Sequence, residues 1–216
     1  FVLFALAMIG SYVLSFQIYL ALPLQAAVVV GNGRSDTALV TSLFVVSGVV
    51  AIAGQFRITS WLSRRWGSGR SVVVGMAIMA LAFLPLIVLP SPAALGGWAA
   101  AGALVFTAAL LAVGTAAGFP FGMDTVVALS GGKLVATHYG FYNTIVGVGI
   151  LLGNLGTGAV FGLLSDAHLG ALIWAILTLV GAASVAALYA LDRSDRLTPP
   201  PTETTVTESG EVPATG

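Results

Sequence analysis

Asp, Glu, Lys and Arg are absent from five long stretches of this chain: 1–33, 37–56, 71–123, 134–165 and 167–191. About 20 apolar residues in helical form cross the hydrocarbon core of a bilayer. The third stretch has 53 residues, enough for two crossings. Its middle reads "LPSPAALGG" over 89–97, where two prolines and two glycines mark a turn. Six spans follow, at 2–24, 37–56, 71–89, 98–119, 139–162 and 171–191. The runs are continuously apolar and do not alternate, so helices are expected and barrel strands are not. The predicted fold class is an all-α integral membrane protein, a six-transmembrane-helix bundle.

Composition agrees. Hydrophobic residues make up 58% of the chain and charged residues 7%, against roughly 25% charged in an ordinary soluble domain. Mean hydropathy is +1.03. Eight acidic residues balance eight basic ones, which leaves no basic face for nucleic acid. The chain has no Cys, so disulfides and thiol chemistry are excluded. It opens on Phe1 inside an apolar run, without a basic flank or cleavage site. Residue 1 is therefore read as a cut through a longer protein.

The basic residues are unevenly placed. "RITSWLSRRWGSGR", residues 57–70, holds four of the eight. If six helices alternate, the loops on one side carry Arg57, Arg64, Arg65, Arg70, Lys133, Arg193 and Arg196, and those on the other carry Arg34. Basic residues beside span ends mark the cytoplasmic face. Residues 57–70 are thus expected as a cytoplasmic loop, with both chain ends on that side of the cytoplasmic (inner) membrane. The bundle is assigned to 1–193. The remainder, 194–216, rich in Pro, Thr and Glu, is expected as a disordered cytoplasmic tail.

Soluble chemistry finds no footing. "SGGK" at 130–133 lacks the upstream Gly and the following Ser or Thr of a phosphate loop. His138 and His168 fall in loops on opposite sides, so no shared metal site is expected. No nucleophile lies beside a base. The chain is read as a non-enzyme, without cofactor or metal.

Several segments carry a family resemblance. "SYVLSFQIYLALPLQA" (11–26) looks like the seventh helix of a major facilitator superfamily transporter. "WLSRRWGSGRSVVVG" (61–75) is similar to the basic loop between its helices eight and nine, which echoes the motif G-x-x-x-D-R-x-G-R-R. Arg65, Gly67 and Arg70 suit that motif, the last one step out of register. Ser60 stands where the first Gly would be, and Arg64 replaces the Asp. Residues 117–158 look like the end of helix ten, a cytoplasmic loop and helix eleven. The resemblance covers about residues 1–193 and implies the carboxy-terminal six-helix half of a 12-helix transporter. By the same resemblance the partner is an amino-terminal six-helix half, the substrate site lies near the midplane, and transport proceeds by alternating access.

Residues that could carry transport follow from helical spacing. In the first span Ser11, Tyr12, Ser15 and Tyr19 lie within about a quarter turn of one another, and Gln17 points nearly the opposite way. Both sides can face one cavity only if the helix is broken. In the fifth span Asn143, Gly147, Asn154 and Thr157 share one face. Gly149, Gly153 and Gly156 share a roughly opposite one, expected to let a neighbouring helix approach closely. Cavity lining and interhelical hydrogen bonding both remain open for the polar stripe. In the second span Thr41, Gly48 and Gln55 recur every seven residues and are read as packing.

Asp124 follows Pro120, where the fourth helix is expected to bend or end. Two roles stay open for it: a solvated acid or cap, and a coupling or gating acid paired with Lys133 or Arg65. Arg57, Arg64, Arg65 and Arg70 are expected to set topology and meet anionic lipid headgroups. A gating contact with a second bundle is the alternative for Arg64, Arg65 and Arg70. The expected function is a secondary transporter, ion-coupled, moving a small drug-like or amphipathic solute, with efflux as one direction. A non-transporting scaffold or sensor, or a half-transporter working as a homodimer, are the rivals.

Overall fold

A backbone group left unpaired in lipid costs several kcal/mol, so a chain this apolar satisfies its N–H and C=O groups within helices. The computed structural model describes residues 1–31, 33–89, 96–131, 134–166 and 169–194. The elements are α1 (Val2–Phe16), α2 (Ala21–Val30), α3 (Arg34–Leu81), α4 (Leu84–Val88), α5 (Gly97–Leu129), α6 (Val135–Asp166) and α7 (Gly170–Arg193). No strand occurs among the described residues. Among the described residues, six helical segments are long and apolar enough to cross a membrane. The molecule is a six-helix membrane bundle. The tail after residue 194, residues 90–95 of the turn expected at 89–97, Lys133 and His168 lie outside the described residues.

The first span departs from the predicted single helix. It breaks between Phe16 and Ala21, where Leu20 adopts φ −124° and ψ −73°. The Gln17 amide donates to Leu14 O at 3.2 Å, a tighter turn than the helix before it. The Gln17 side chain turns back onto α1, its Nε2 donating to Val13 O at 2.7 Å. Pro23 sits in the first turn of α2, where a missing N–H leaves no hydrogen bond unmade.

The predicted cytoplasmic loop at 57–70 is instead helical except for one residue. At Gly67, φ 73° and ψ −179° interrupt α3, a backbone state that side chains beyond Gly resist. Uninterrupted, 48 residues would reach about 70 Å at 1.5 Å per residue. The turn at Gly67 folds the element into two arms against α5. Ser47 pairs with Ala108 and Thr59 with Ala116, so the first arm runs parallel to α5. Gly75 meets Gly118 and Met79 meets Gly114, so the second runs antiparallel to it.

The fourth span also corrects its prediction. α5 does not end at Pro120 but continues to Leu129. Proline has no N–H, so the carbonyl of Ala116, four residues back, lacks its helical donor. Thr59 Oγ1 donates to that oxygen at 3.1 Å. A hydroxyl from the neighbouring arm keeps the kink-prone position satisfied.

The core closes through small residues. Cβ atoms added at Gly149 and Gly153 would run into Ile9 and Val13, so α6 packs directly on α1 through the predicted stripe. Gly156, its third member, meets open space. Gly181 of α7 abuts Ala80 and Leu14 in the same way. Larger groups fill the remaining volume: Trp174 stacks on Phe83 with centroids 5.9 Å apart, and Phe4 stacks on Tyr142 at 6.4 Å.

Candidate functional site

One open cavity of about 620 Å³ lies where α1, the first arm of α3 and α5 converge. From α1 and its break come Ser15, Phe16, Ile18 and Tyr19. From α3 come Phe44, Ser47, Gly48, Ala51 and Gln55. α5 gives the longest wall, including Leu111, Thr115, Phe119, Pro120 and Met123. None of the lining residues is Asp, Glu, Lys, Arg or His.

The wall chemistry is neutral and amphipathic. Ser15 Oγ donates to Ser11 O at 2.8 Å and lies 3.4 Å from Thr115 Oγ1, tying α1 to α5. Thr115 in turn donates to Leu111 O at 2.7 Å. Ser47 Oγ bonds Ala108 O at 3.3 Å. These hydroxyls satisfy backbone carbonyls while keeping acceptor lone pairs. Tyr19 is exposed, with its ring 5.6 Å from Phe16 and 5.7 Å from Phe44. The three rings form an aromatic edge beside the hydroxyls, suited to an apolar or cationic ring face.

The other residues expected from sequence divide by position. Tyr12 stands behind this wall, stacked on Phe119 at 4.5 Å, with its hydroxyl 3.4 Å from that of Tyr142. Ser11 is buried and bonds Met8 O at 2.8 Å. Gln17 is buried at the helix break; its Oε1 meets no hydrogen-bond partner among the described residues. On α6, Asn143 is exposed, Asn154 half-buried and Thr157 buried. None of the three borders the cavity. Asn154 Oδ1 is buried without a described partner. The structure thus brings together Ser15 and Tyr19, but not the two polar stripes.

The packing reading of the second span is corrected at two of its three residues, since Gly48 and Gln55 line the cavity. Thr41 stands apart, bonding Thr37 O at 2.7 Å. Of the α5 wall only Pro120 was singled out from sequence; Thr115, five residues before it, is a polar residue in a largely apolar helix.

At the Arg-rich end, Asp124 is exposed and makes no ion pair among the described residues. The pairing with Arg65 is not formed: Arg65 lies over the Trp61 ring, 5.8 Å from its centroid. Arg64 is exposed, and Arg70 Nε faces Asp192 Oδ2 at 3.9 Å. No cluster of three potential metal ligands occurs among the described residues.

Comparison with known proteins places this geometry in a lineage. The chain is 51% identical over 192 residues to an uncharacterized MFS-type transporter of Mycobacterium tuberculosis. It is 23% identical over 200 residues to the multidrug resistance protein MdtH of Cronobacter sakazakii, and 21% identical over 189 residues to MdtH of Blochmanniella floridana. The matches take in 89%, 92% and 88% of this chain. They cover only 45%, 46% and 44% of the relatives, so the chain spans about half their length. No family model matches it, and no solved structure does. Six apolar helices, the uncharged cavity among them and relatives named as transporters rather than enzymes agree: the chain belongs to the major facilitator superfamily.

Proposed function

We propose that this chain is the carboxy-terminal bundle of a secondary transporter that exports an amphipathic, drug-like solute across the cytoplasmic membrane. The observation that carries this reading is the uncharged cavity of about 620 Å³, floored by Ser15, Thr115 and Gln55 and edged by Tyr19, Phe16 and Phe44. A charged metabolite would leave its charge unpaired against such a wall, at a cost of several kcal/mol. An apolar or ring-bearing solute with one or two hydrogen-bonding groups meets no such penalty. The resemblance to proteins named for multidrug resistance supports the outward direction.

In this reading a second six-helix bundle faces α1, α3 and α5 and closes the cavity, and the two rock about the bound solute. An ion gradient drives the cycle. The Arg-rich end is cytoplasmic, following the seven-to-one split of basic residues.

The test is flux by the full-length protein. Cells or energised vesicles containing it are expected to expel a neutral lipophilic dye, and an uncoupler to abolish the gradient. Gly48→Trp fills the cavity from a position where an added Cβ meets nothing within 4 Å. It is expected to stop export while the protein stays folded. Absence of flux across a broad panel of amphipathic solutes would sink the transporter reading in favour of a membrane scaffold.

A further inference from the structure

A second cleft, of about 550 Å³, opens at the Arg-rich end, away from the transport cavity and sharing none of its residues. It lies between the start of α3's second arm and the last turns of α7. We propose that this cleft binds the headgroup of an anionic phospholipid, with the acyl region running over Val73 and Val74.

Three observations on different scales agree. The first is depth. Arg70 directly precedes the third apolar stretch, and Asp192 and then Arg193 follow the last, so the cleft straddles the boundary between headgroups and hydrocarbon. Trp66 and Tyr189 line it at that level, where amphipathic rings are favoured.

The second is polarity along the cleft. Arg70 and Arg193 stand at the aqueous end, and the valines lie one helical turn further into the span. A glycerophospholipid has the same order of parts.

The third is charge. The cleft holds two guanidinium groups and one carboxylate, Asp192. Arg70 meets Asp192 through Nε at 3.9 Å, and its side chain is 73% exposed. A pair so long and so open contributes little and engages one of five N–H donors. The remaining fork of donors matches a phosphate in shape. The excess of one positive charge matches one phosphodiester. A zwitterionic lipid brings its own ammonium and loses that advantage.

The site does not depend on the transport reading, and its test is separate. The full-length protein is solubilised with equimolar phosphatidylglycerol and phosphatidylcholine, and retained lipid is counted by native mass spectrometry. Phosphatidylglycerol is expected to be retained in excess on the order of tenfold, the scale of two basic residues at an anionic surface. The preference is expected to vanish in Arg70→Ala/Arg193→Ala and to persist in Arg70→Lys/Arg193→Lys. Arg34→Ala, at the opposite end, is expected to leave it unchanged. Equal retention of both lipids by the unmutated protein overturns the proposal without any variant. So does an undiminished preference in an Ala pair that melts like the parent. Displacement of the lipid by millimolar inorganic phosphate would make the cleft a free-anion site and overturn the lipid assignment.

Discussion

Gly75 shows what a single residue does in this bundle. A Cβ there would stand 2.6 Å from Gly118 N and 2.7 Å from Gly118 Cα, both backbone atoms that no side-chain rotation can move. The second arm of α3 therefore touches α5 backbone to backbone, and dispersion over that seam replaces the hydrophobic drive that lipid does not supply between helices. Gly75→Ala is expected to cost about 1–3 kcal/mol, the usual penalty of overpacking. A lowered melting temperature in detergent reads it out. Gly102, on α5, meets nothing within 4 Å. Gly102→Ala is expected to leave the melting temperature unchanged or slightly higher, because Ala loses less backbone freedom on ordering. Equal effects of the two substitutions would refute the seam.

At the scale of elements, the irregular position in α5 is repaired by a side chain from a place the sequence does not advertise. Thr59 lies in the segment expected as a loop, yet it donates to the Ala116 carbonyl that Pro120 leaves without a donor. Thr59→Val removes that donor while keeping the shape, and should cost about 1–3 kcal/mol for a buried unpaired carbonyl. Pro120→Ala restores the backbone donor, so in its background Thr59→Val should become nearly silent. A double-mutant cycle by thermal unfolding measures the coupling; additive effects would show that the hydroxyl does not serve the proline. The number of crossings was legible because a run of 20 apolar residues has few alternatives to a span. The break after Phe16 was not, because residues 17–20 are Gln, Ile, Tyr and Leu, with no Gly or Pro among them. Beside it Gln17 bonds back to Val13 O of its own helix, where spacing alone reads a polar group facing somewhere else. The cavity was half legible for a related reason. Helical periodicity tells which residues share a face, so Ser15 and Tyr19 were found together. It does not tell which face meets open space, so Gly48 and Gln55 passed as packing.

At the scale of the whole molecule, the one property that no helix contains by itself is orientation. Alternating spans put Arg57, Arg64, Arg65, Arg70, Lys133, Arg193 and Arg196 on one side and Arg34 on the other. The described helices keep that alternation, since the two arms of α3 run in opposite directions along α5. Each basic residue resists translocation and is drawn to the anionic inner leaflet, at about 1 kcal/mol apiece near the surface. The seven-to-one split is the ground for the proposed orientation, with the Arg-rich side cytoplasmic. The absence of Cys in the chain makes the consequence directly measurable, because one introduced thiol is the only one this bundle presents. Ser35 and Ser68 are both exposed, one at each end of the first arm of α3 and its turn. In intact cells Ser35→Cys is expected to react with a membrane-impermeant maleimide added outside. Ser68→Cys is expected to react only with a permeant reagent or after the membrane is opened. The reverse pattern would invert the bundle, put the Arg-rich cleft in the outer leaflet, and require the cavity between α1, α3 and α5 to be loaded from the other side.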